Sequence, residues 1–371
     1  MTDFHLYHFI ALVTAVVASW KLPRKWQIDG VSLLSNLFIA WFSPISAICL
    51  LSSSGLVYLI CRYRANRSSW ILTGILYCAI QFLLIRYIPT SEICDHCQIL
   101  SVLGIAYFTC RHIHYLIEVY KGKISINLRQ FWHYQSFLPL IITGPISRYP
   151  DFVREIQRRR WDSLQTSIAI ERIIYGYATV VIIGNYLIGQ KLSPQITTFQ
   201  SNVVFHAWLK SANDWAYLYA QFSGWSSIAI GFSLLMGIRI KENFNYPFLA
   251  TNLIEFWQRW HISLSTWCRD YVFTSIIAVT RKPFVAIVAA MVVLGIWHEL
   301  SSYYFFWGVY HAIGISICQV YQNYTSSFKF HTDLHSWKLI EKFGYWLLTI
   351  NYIIFSRPII SIVDKIFHHY I

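Results

Sequence analysis

Residues 256–273 read FWQRWHISLSTWCRDYVF. Within them stand His261, Arg259, Arg269 and Asp270, the hydroxyls of Ser263, Ser265 and Thr266, and the indoles of Trp257, Trp260 and Trp267. The flanking sequence is a series of long apolar runs. Ionisable groups are costly at membrane depth, and those kept there mark a substrate path or a catalytic site. A second such place is Gly295-Ile296-Trp297-His298-Glu299, inside a stretch, 283–319, that is otherwise nearly free of charge. Imidazole changes charge near neutral pH, which suits it to accept and return a proton. His298 and Glu299 fit either a polar turn between two spans or a buried base at a helix end. His311, further along the next apolar run, is expected to make a helix-to-helix hydrogen bond.

These groups must be positioned by helices. Read as one helix, residues 256–273 sort into two faces. Trp257, Trp260, Leu264, Trp267 and Tyr271 recur at three- and four-residue steps as an aromatic stripe. Gln258, His261, Ser265 and Arg269 form a polar line by the same spacing. That pairing suits a helix lining a polar tunnel, or an interfacial helix with its indoles at headgroup level.

Composition sets the class. Of 371 residues, 56% are hydrophobic and only 13% charged, with a mean hydropathy of +0.44. A soluble domain carries about 25% charged residues, so the chain reads as an all-α polytopic protein of the cell membrane. No ten-residue alternation supports a barrel. The net charge of +13 falls in short links, 21–25, 62–67, 121–129, 148–160 and 281–282, between apolar runs. That pattern indicates positive-inside topology and contact with anionic membrane lipid, not nucleic acid. Lys21, Arg24 and Lys25 follow the first apolar run, so it reads as a retained span with its N-terminus outside. Six cysteines lie in or beside apolar runs as small core residues. Cys94-Asp95-His96-Cys97 lacks a second ligand pair and reads as an extracytoplasmic turn, open to a disulfide, rather than a metal site.

Apolar runs occur near 5–20, 31–61, 70–88, 99–119, 168–188, 203–236, 283–298, 300–320 and 343–363. At about 20 residues per span they give roughly 9–11 membrane segments in one domain, 1–371. The runs 31–61 and 203–236 are too long for one simple crossing, and Pro44 offers a break in the first. Residues 136–148, SFLPLIITGPISR, are too short to span and read as re-entrant or interfacial.

Several of these pieces resemble the membrane-bound O-acyltransferase family in its bacterial branch, which includes alginate O-acetylation and teichoic-acid D-alanyl transfer proteins. The segment FWQRWHISLSTWCRDYVF is similar to that family's signature. So are 104–123 (GIAYFTCRHIHYLIEVYKGK), the Pro-x-x-x-x-Gly-Pro-Ile-x-Arg-Tyr pattern within 137–156, Phe222-Ser223-Gly224-Trp225-Ser226, Glu242-Asn243-Phe244-Asn245-Tyr246-Pro247, and Gly295-Ile296-Trp297-His298. The order and rough spacing hold from about 100 to 320. The two histidines stand closer in sequence than the family leads one to expect, because the linker around Arg281 is brief. Glu299 replaces the family's usual glycine.

The resemblance implies a helical bundle with a central tunnel, and acyl transfer from a thioester to an alcohol. Its presumed catalytic histidine is His298, here the general base or the holder of the acceptor hydroxyl. His261 is its second, tunnel-facing histidine, binding and orienting donor or acceptor with Ser265 beside it. Trp257 and Trp260 would wall the tunnel with Trp297 in the substrate region, while Arg269, Asp270, Asn243 and Asn245 would shape its mouths. No bound cofactor or metal is expected. The implied donor is acetyl-CoA or the phosphopantetheine thioester of a small acidic carrier protein at the cytoplasmic face. The acceptor is an extracytoplasmic glycan or glycolipid, or a relay protein. Arg148, Arg154, Arg158, Arg159 and Arg160 would offer the donor a basic landing surface. Acetyl and D-alanyl transfer both fit. By reaction class the chain is placed with O-acyltransferases moving groups other than aminoacyl or D-alanyl. A transporter would show paired half-helices in inverted repeats, which are absent from the sequence. Glu299 is the one feature inviting a non-catalytic assembly role.

Overall fold

The computed structural model describes residues 2–87, 103–327 and 335–370. These form helices with no strand among the described residues. The Cys94/Cys97 motif lies outside them. The chain divides into two compact units, Met1–Tyr177 with Trp225–Lys241, and Ala178–Gly224 with Glu242–Ile371.

The first unit contains α1 (Thr2–Lys21), α2 (Gln27–Phe42), α3 (Pro44–Arg64), α4 (Ser68–Tyr87), α5 (Ile105–Tyr120), α6 (Leu128–Gln135), α7 (Leu138–Ile141), α8 (Tyr149–Gln157) and α9 (Ser163–Ala178) up to Tyr177. The long run 31–61 breaks where Pro44 places it. Ser43 accepts a hydrogen bond from the Ser46 N–H (3.3 Å) and Pro44 occupies the first turn of α3. A serine cap followed by proline is a favoured helix start, since proline has no N–H to leave unsatisfied.

Segment 136–148 forms only the four-residue α7 and irregular backbone, most of it buried. This stretch and its flanks are held from α5 and α6. The fully buried Arg111 guanidinium donates to the carbonyls of Tyr134 (2.7 Å) and Leu140 (3.0 Å). His114 Nε2 accepts from the Tyr149 N–H (2.9 Å), and the Tyr134 hydroxyl donates to the Ser147 carbonyl (2.7 Å). Buried backbone away from helices needs such partners, which is why two short apolar pieces can persist without spanning.

Arg159, expected on a landing surface, is instead drawn inward. Its guanidinium stacks 4.0 Å from the Trp20 ring, donates to Gln27 Oε1 (2.7 Å) and also reaches the Ser19 carbonyl. Arg154 pairs with Asp151 at 2.6 Å. Arg158 and Arg160 remain exposed and line a cavity of about 370 Å³ with Glu155, Trp161 and Gly237.

The second unit opens with a π-helical stretch, Thr179–Leu192, and α10 (Ser193–Ile196), then most of α11 (Val203–Leu235). At 1.5 Å per residue, 33 residues reach about 50 Å, well beyond the hydrocarbon thickness of about 30 Å, so run 203–236 is one unbroken helix. There follow α12 (Leu253–Arg259), α13 (Ile262–Cys268), a π turn (Arg269–Phe273), α14 (Thr274–Thr280), α15 (Pro283–His298), α16 (Ser302–Ser327) and α17 (His335–Tyr370). Arg357 of α17 pairs with Asp214 of α11 (2.7 Å), and the Trp208 indole donates to Asn351 (3.0 Å).

α15 and α16 approach closely through glycines. A Cβ on Gly295 would collide with the Tyr304 carbonyl, and one on Gly308 would lie 2.6 Å from the Met291 carbonyl oxygen. Only residues without a side chain let the two backbones meet this way.

Five described stretches are long and apolar enough to cross a membrane: Phe4–Lys21, Pro44–Arg64, Ser68–Ile85, Ser163–Phe199 and Leu339–His369. With α2, α5, α11, α15 and α16, each 16 residues or longer, this is the architecture of a polytopic all-α membrane protein.

Candidate active site

The signature 256–273 is not one helix. α12 ends at Arg259, α13 begins at Ile262, and His261 between them has φ 41°, in the left-handed region. Such a conformation is uncommon for any residue but glycine and needs surrounding structure to hold it. Here residues 243–245 provide it. The Asn245 N–H donates to the Arg259 carbonyl (2.9 Å) and the Ile262 N–H to the Asn243 carbonyl (2.8 Å). On the other side of the break, Asn252 caps α12 through the Glu255 N–H (2.8 Å), while Glu255 accepts from the Thr251 N–H (2.7 Å). The Asn252 cap and the Glu255 bond back to Thr251 together fix where α12 starts.

The break sets the His261 ring. Asn243 Oδ1 receives the His261 Nδ1 (3.2 Å), the Ser263 hydroxyl (2.8 Å) and the Ser263 N–H (3.2 Å). A carbonyl oxygen can only accept, so Nδ1 carries the proton and Nε2 keeps its lone pair. That Nε2 is buried with no hydrogen-bond partner, in a residue 1% exposed. Burial, reinforced by the nearby His298, pushes the His261 pKa well below its ordinary value. α12 and α13, seven residues each, are too short to span. His261 is therefore a neutral imidazole offering one bare acceptor. Phe222 closes on it edge-on at 4.6 Å between ring centres.

His298 is the last residue of α15. Its ring is stacked on Tyr304 (5.6 Å) and met edge-on by Trp297 (5.0 Å) and Trp307 (5.9 Å). Trp297 also lies 5.5 Å from the His261 ring, so both histidines contact the same indole. His298 is half-buried, whereas Glu299 turns outward and is exposed. His298 thus stands at the end of α15, where the largely exposed link 299–301 to α16 begins.

The remaining expected residues separate. Asn243, placed by the sequence at a tunnel mouth, is 1% exposed and holds His261 directly. Asn245 is exposed and contributes through its backbone. Trp257 packs edge-on against Trp307 (5.6 Å) and His311 (5.2 Å), on the histidine side. Trp260 packs into a different group, with Trp215 (5.1 Å), Phe244 (5.2 Å) and Phe256 (5.6 Å). The two tryptophans thus meet different neighbours, with Phe256 in contact with both, 5.5 Å from Trp257 and 5.6 Å from Trp260. The Ser265 hydroxyl donates to the Trp260 carbonyl (3.0 Å), and Ser265 lines a crevice of about 260 Å³ with Trp257, Cys268, Arg269 and Gln319. Arg269 and Asp270 pair with each other at 2.9 Å near the surface.

Sequence reasoning missed Ser263 and Phe222. Ser263 carried a weak signal, a hydroxyl two residues after the histidine; Phe222 carried none beyond its motif. The expected inter-helix hydrogen bond of His311 is absent. Its fully buried ring has no partner for either nitrogen and is enclosed by Trp257, Trp307 (4.6 Å), Tyr310 (5.4 Å) and Tyr352 (6.2 Å).

The profile of the membrane-bound O-acyltransferase family matches residues 123–358. A probable alginate O-acetylase of Pseudomonas aeruginosa is 34% identical over 225 residues, covering 59% of this chain and 43% of that protein. A teichoic acid D-alanyltransferase of Bacillus subtilis is 29% identical over 371 aligned positions, covering 92% of this chain and 90% of its own. Another from Streptococcus thermophilus is 31% identical, covering 70% and 67%. The chain thus spans under half the length of the first relative and nearly all of the second. A reaction class that excludes D-alanyl transfer finds no support, since two of these relatives are D-alanyltransferases.

Proposed function

The chain belongs to the membrane-bound O-acyltransferase family, and from that premise we propose that it moves an acyl group from a thioester to a hydroxyl of an extracytoplasmic polymer, working from the cell membrane. The observation that carries the reading is the pinned tautomer of His261, with a bare Nε2 in a ring that contacts the same indole, Trp297, as His298.

In this reading His261 positions and His298 reacts. A neutral, weakly basic imidazole accepts a hydrogen bond from the acceptor hydroxyl or from an amide N–H of the donor arm, without taking the proton. His298 takes the hydroxyl proton as the oxygen attacks the thioester carbonyl. The tetrahedral intermediate collapses, the C–S bond breaks, and the proton passes to the leaving thiolate. One ester forms and one thiol is released. The rings of Trp297, Tyr304 and Trp307 around His298 exclude water, which would otherwise hydrolyse the thioester.

Two donors fit this chemistry, acetyl-CoA and a carrier-bound D-alanyl thioester. Near-complete coverage of the Bacillus subtilis protein supports the carrier-bound donor, and the higher identity to the alginate O-acetylase supports acetyl. Arg158 and Arg160, exposed in the first unit, are the basic groups available to an acidic carrier or to CoA phosphates. The experiment is to offer both thioesters in parallel to purified protein in nanodiscs, with glycan acceptor present. Consumption of one names the donor. Consumption of neither by folded protein contradicts the reading.

A further inference from the structure

The first unit carries a groove of about 1090 Å³ between α2, α3 and α6. Its walls are leucines, among them Leu33, Leu51 and Leu59, each more than half exposed. Its floor is not apolar. Gln135, 1% exposed, lines the groove with both amide atoms unpartnered. A buried amide with neither its donor nor its acceptor used calls for an explanation, an unseen ligand among them. The rim is cationic. Lys25 Nζ stands 5.1 Å over the ring of Trp26, which lines the groove. Arg129 lies there as well, binding the Asp29 carboxylate at 2.6 and 2.9 Å and reaching the Lys25 carbonyl. Asp29 also lines the groove, but Arg129 and His133 (2.7 Å) occupy its oxygens. The Arg129–Asp29 pair cancels, and Lys25 leaves the rim positive.

We infer that this groove is a binding site for one anionic glycerophospholipid. Its phosphate sits at Lys25, an acyl-ester carbonyl accepts from the Gln135 amide, and the chains run along the leucine wall. Charge complementarity selects the occupant. A sterol or a neutral acylglycerol has no group for Lys25, and a purely hydrocarbon filling leaves Gln135 unsatisfied. The distance is suitable, since Arg129, which reaches the Lys25 carbonyl, and Gln135 are six residues apart on α6, about 9 Å along a helix. The basic link 21–25 places the rim toward the cytoplasmic leaflet, where anionic lipids concentrate. This site is independent of the acyl-transfer reading and shares no residue with it.

The test is native mass spectrometry of the full chain in mild detergent. Dioleoyl-phosphatidylglycerol and dioleoyl-phosphatidylcholine are added separately. The wild type is expected to hold one phosphatidylglycerol at least about tenfold more tightly than phosphatidylcholine. Gln135→Leu removes the orphan amide while keeping its bulk. It should lose that lipid, yet unfold in lipid-free detergent no more easily than the wild type. Lys25→Gln should erase the preference between headgroups. Should Gln135→Leu fail to fold, Gly55→Leu serves instead. Gly55 lines the groove, and a Cβ there meets nothing within 4 Å, so a leucine can be placed there to fill the site. Equal retention of the two lipids by the wild type, or full retention by both groove variants, overturns the inference and leaves only bulk lipid at this face.

Discussion

Asn243 fixes the chemical state of His261. Its side-chain oxygen, 3.2 Å from Nδ1 and shared with both donors of Ser263, can only accept. The ring proton therefore stays on Nδ1 and the lone pair on Nε2. Replacing Asn243 by alanine frees the tautomer and the ring. Turnover should fall by at least about tenfold, roughly 1.4 kcal/mol of transition-state stabilisation. Asn243→Asp keeps an acceptor and should recover part of that rate. The check is kcat/KM for both variants; equal loss in the two would contradict the acceptor role of the Asn243 oxygen.

The buried, neutral His261 makes stability depend on pH. Its folded pKa lies well below that of an unfolded histidine near 6.5. Below that pH the unfolded chain takes up a proton that the folded chain refuses. The contribution is thus complete above about pH 6.5 and declines as pH falls toward the folded value. Unfolding temperatures in detergent at pH 8 and pH 5 should differ less for His261→Gln than for the wild type. Identical slopes would remove the buried-neutral assignment.

Gly295 sets the distance between α15, which ends in His298, and α16, which supplies Tyr304 and Trp307. Gly295→Ala drives a methyl into the Tyr304 carbonyl, and backbone cannot yield as a side-chain tip can. A cost of about 1–3 kcal/mol is expected, together with reduced turnover from displacement of the ring cage. Thermal stability and activity should fall together. An unperturbed alanine variant would contradict the close packing.

Arg269 and Asp270 face the surface as a pair with each other. Exposed pairs contribute about 0–1 kcal/mol, so Asp270→Asn should leave the unfolding temperature nearly unchanged. Its kcat should match the wild type, any effect appearing in KM for the donor. A large loss of kcat would contradict this peripheral placement of Asp270.

Much of this was legible in the sequence. The membrane class follows from low charge and long apolar runs, Pro44 marks the break between α2 and α3, and the two histidine motifs stand out as ionisable groups among apolar residues. The break at His261 was not legible. Helical periodicity runs straight through residues 256–273, and the left-handed histidine is enforced by backbone bonds from residues 243–245, a tertiary effect. Trp257 and Trp260 look like one stripe, yet beyond the Phe256 they share they meet different neighbours. Arg159 reads as a surface cation because nothing local reveals that Trp20 and Gln27 enclose it. General expectation gives His311 an inter-helix hydrogen bond, whereas aromatic rings surround it.

The central claim is that His298 takes the proton during acyl transfer, and single-turnover transfer by purified His298→Ala beside the wild type tests it most directly. Both proteins should be matched for folding by size exclusion and unfolding temperature, and supplied with the thioester the wild type consumes. Loss of at least about 100-fold in rate is expected, within the range contributed by a positioned acid–base group, with the protein still folded and inserted. Turnover close to that of the wild type would contradict the account.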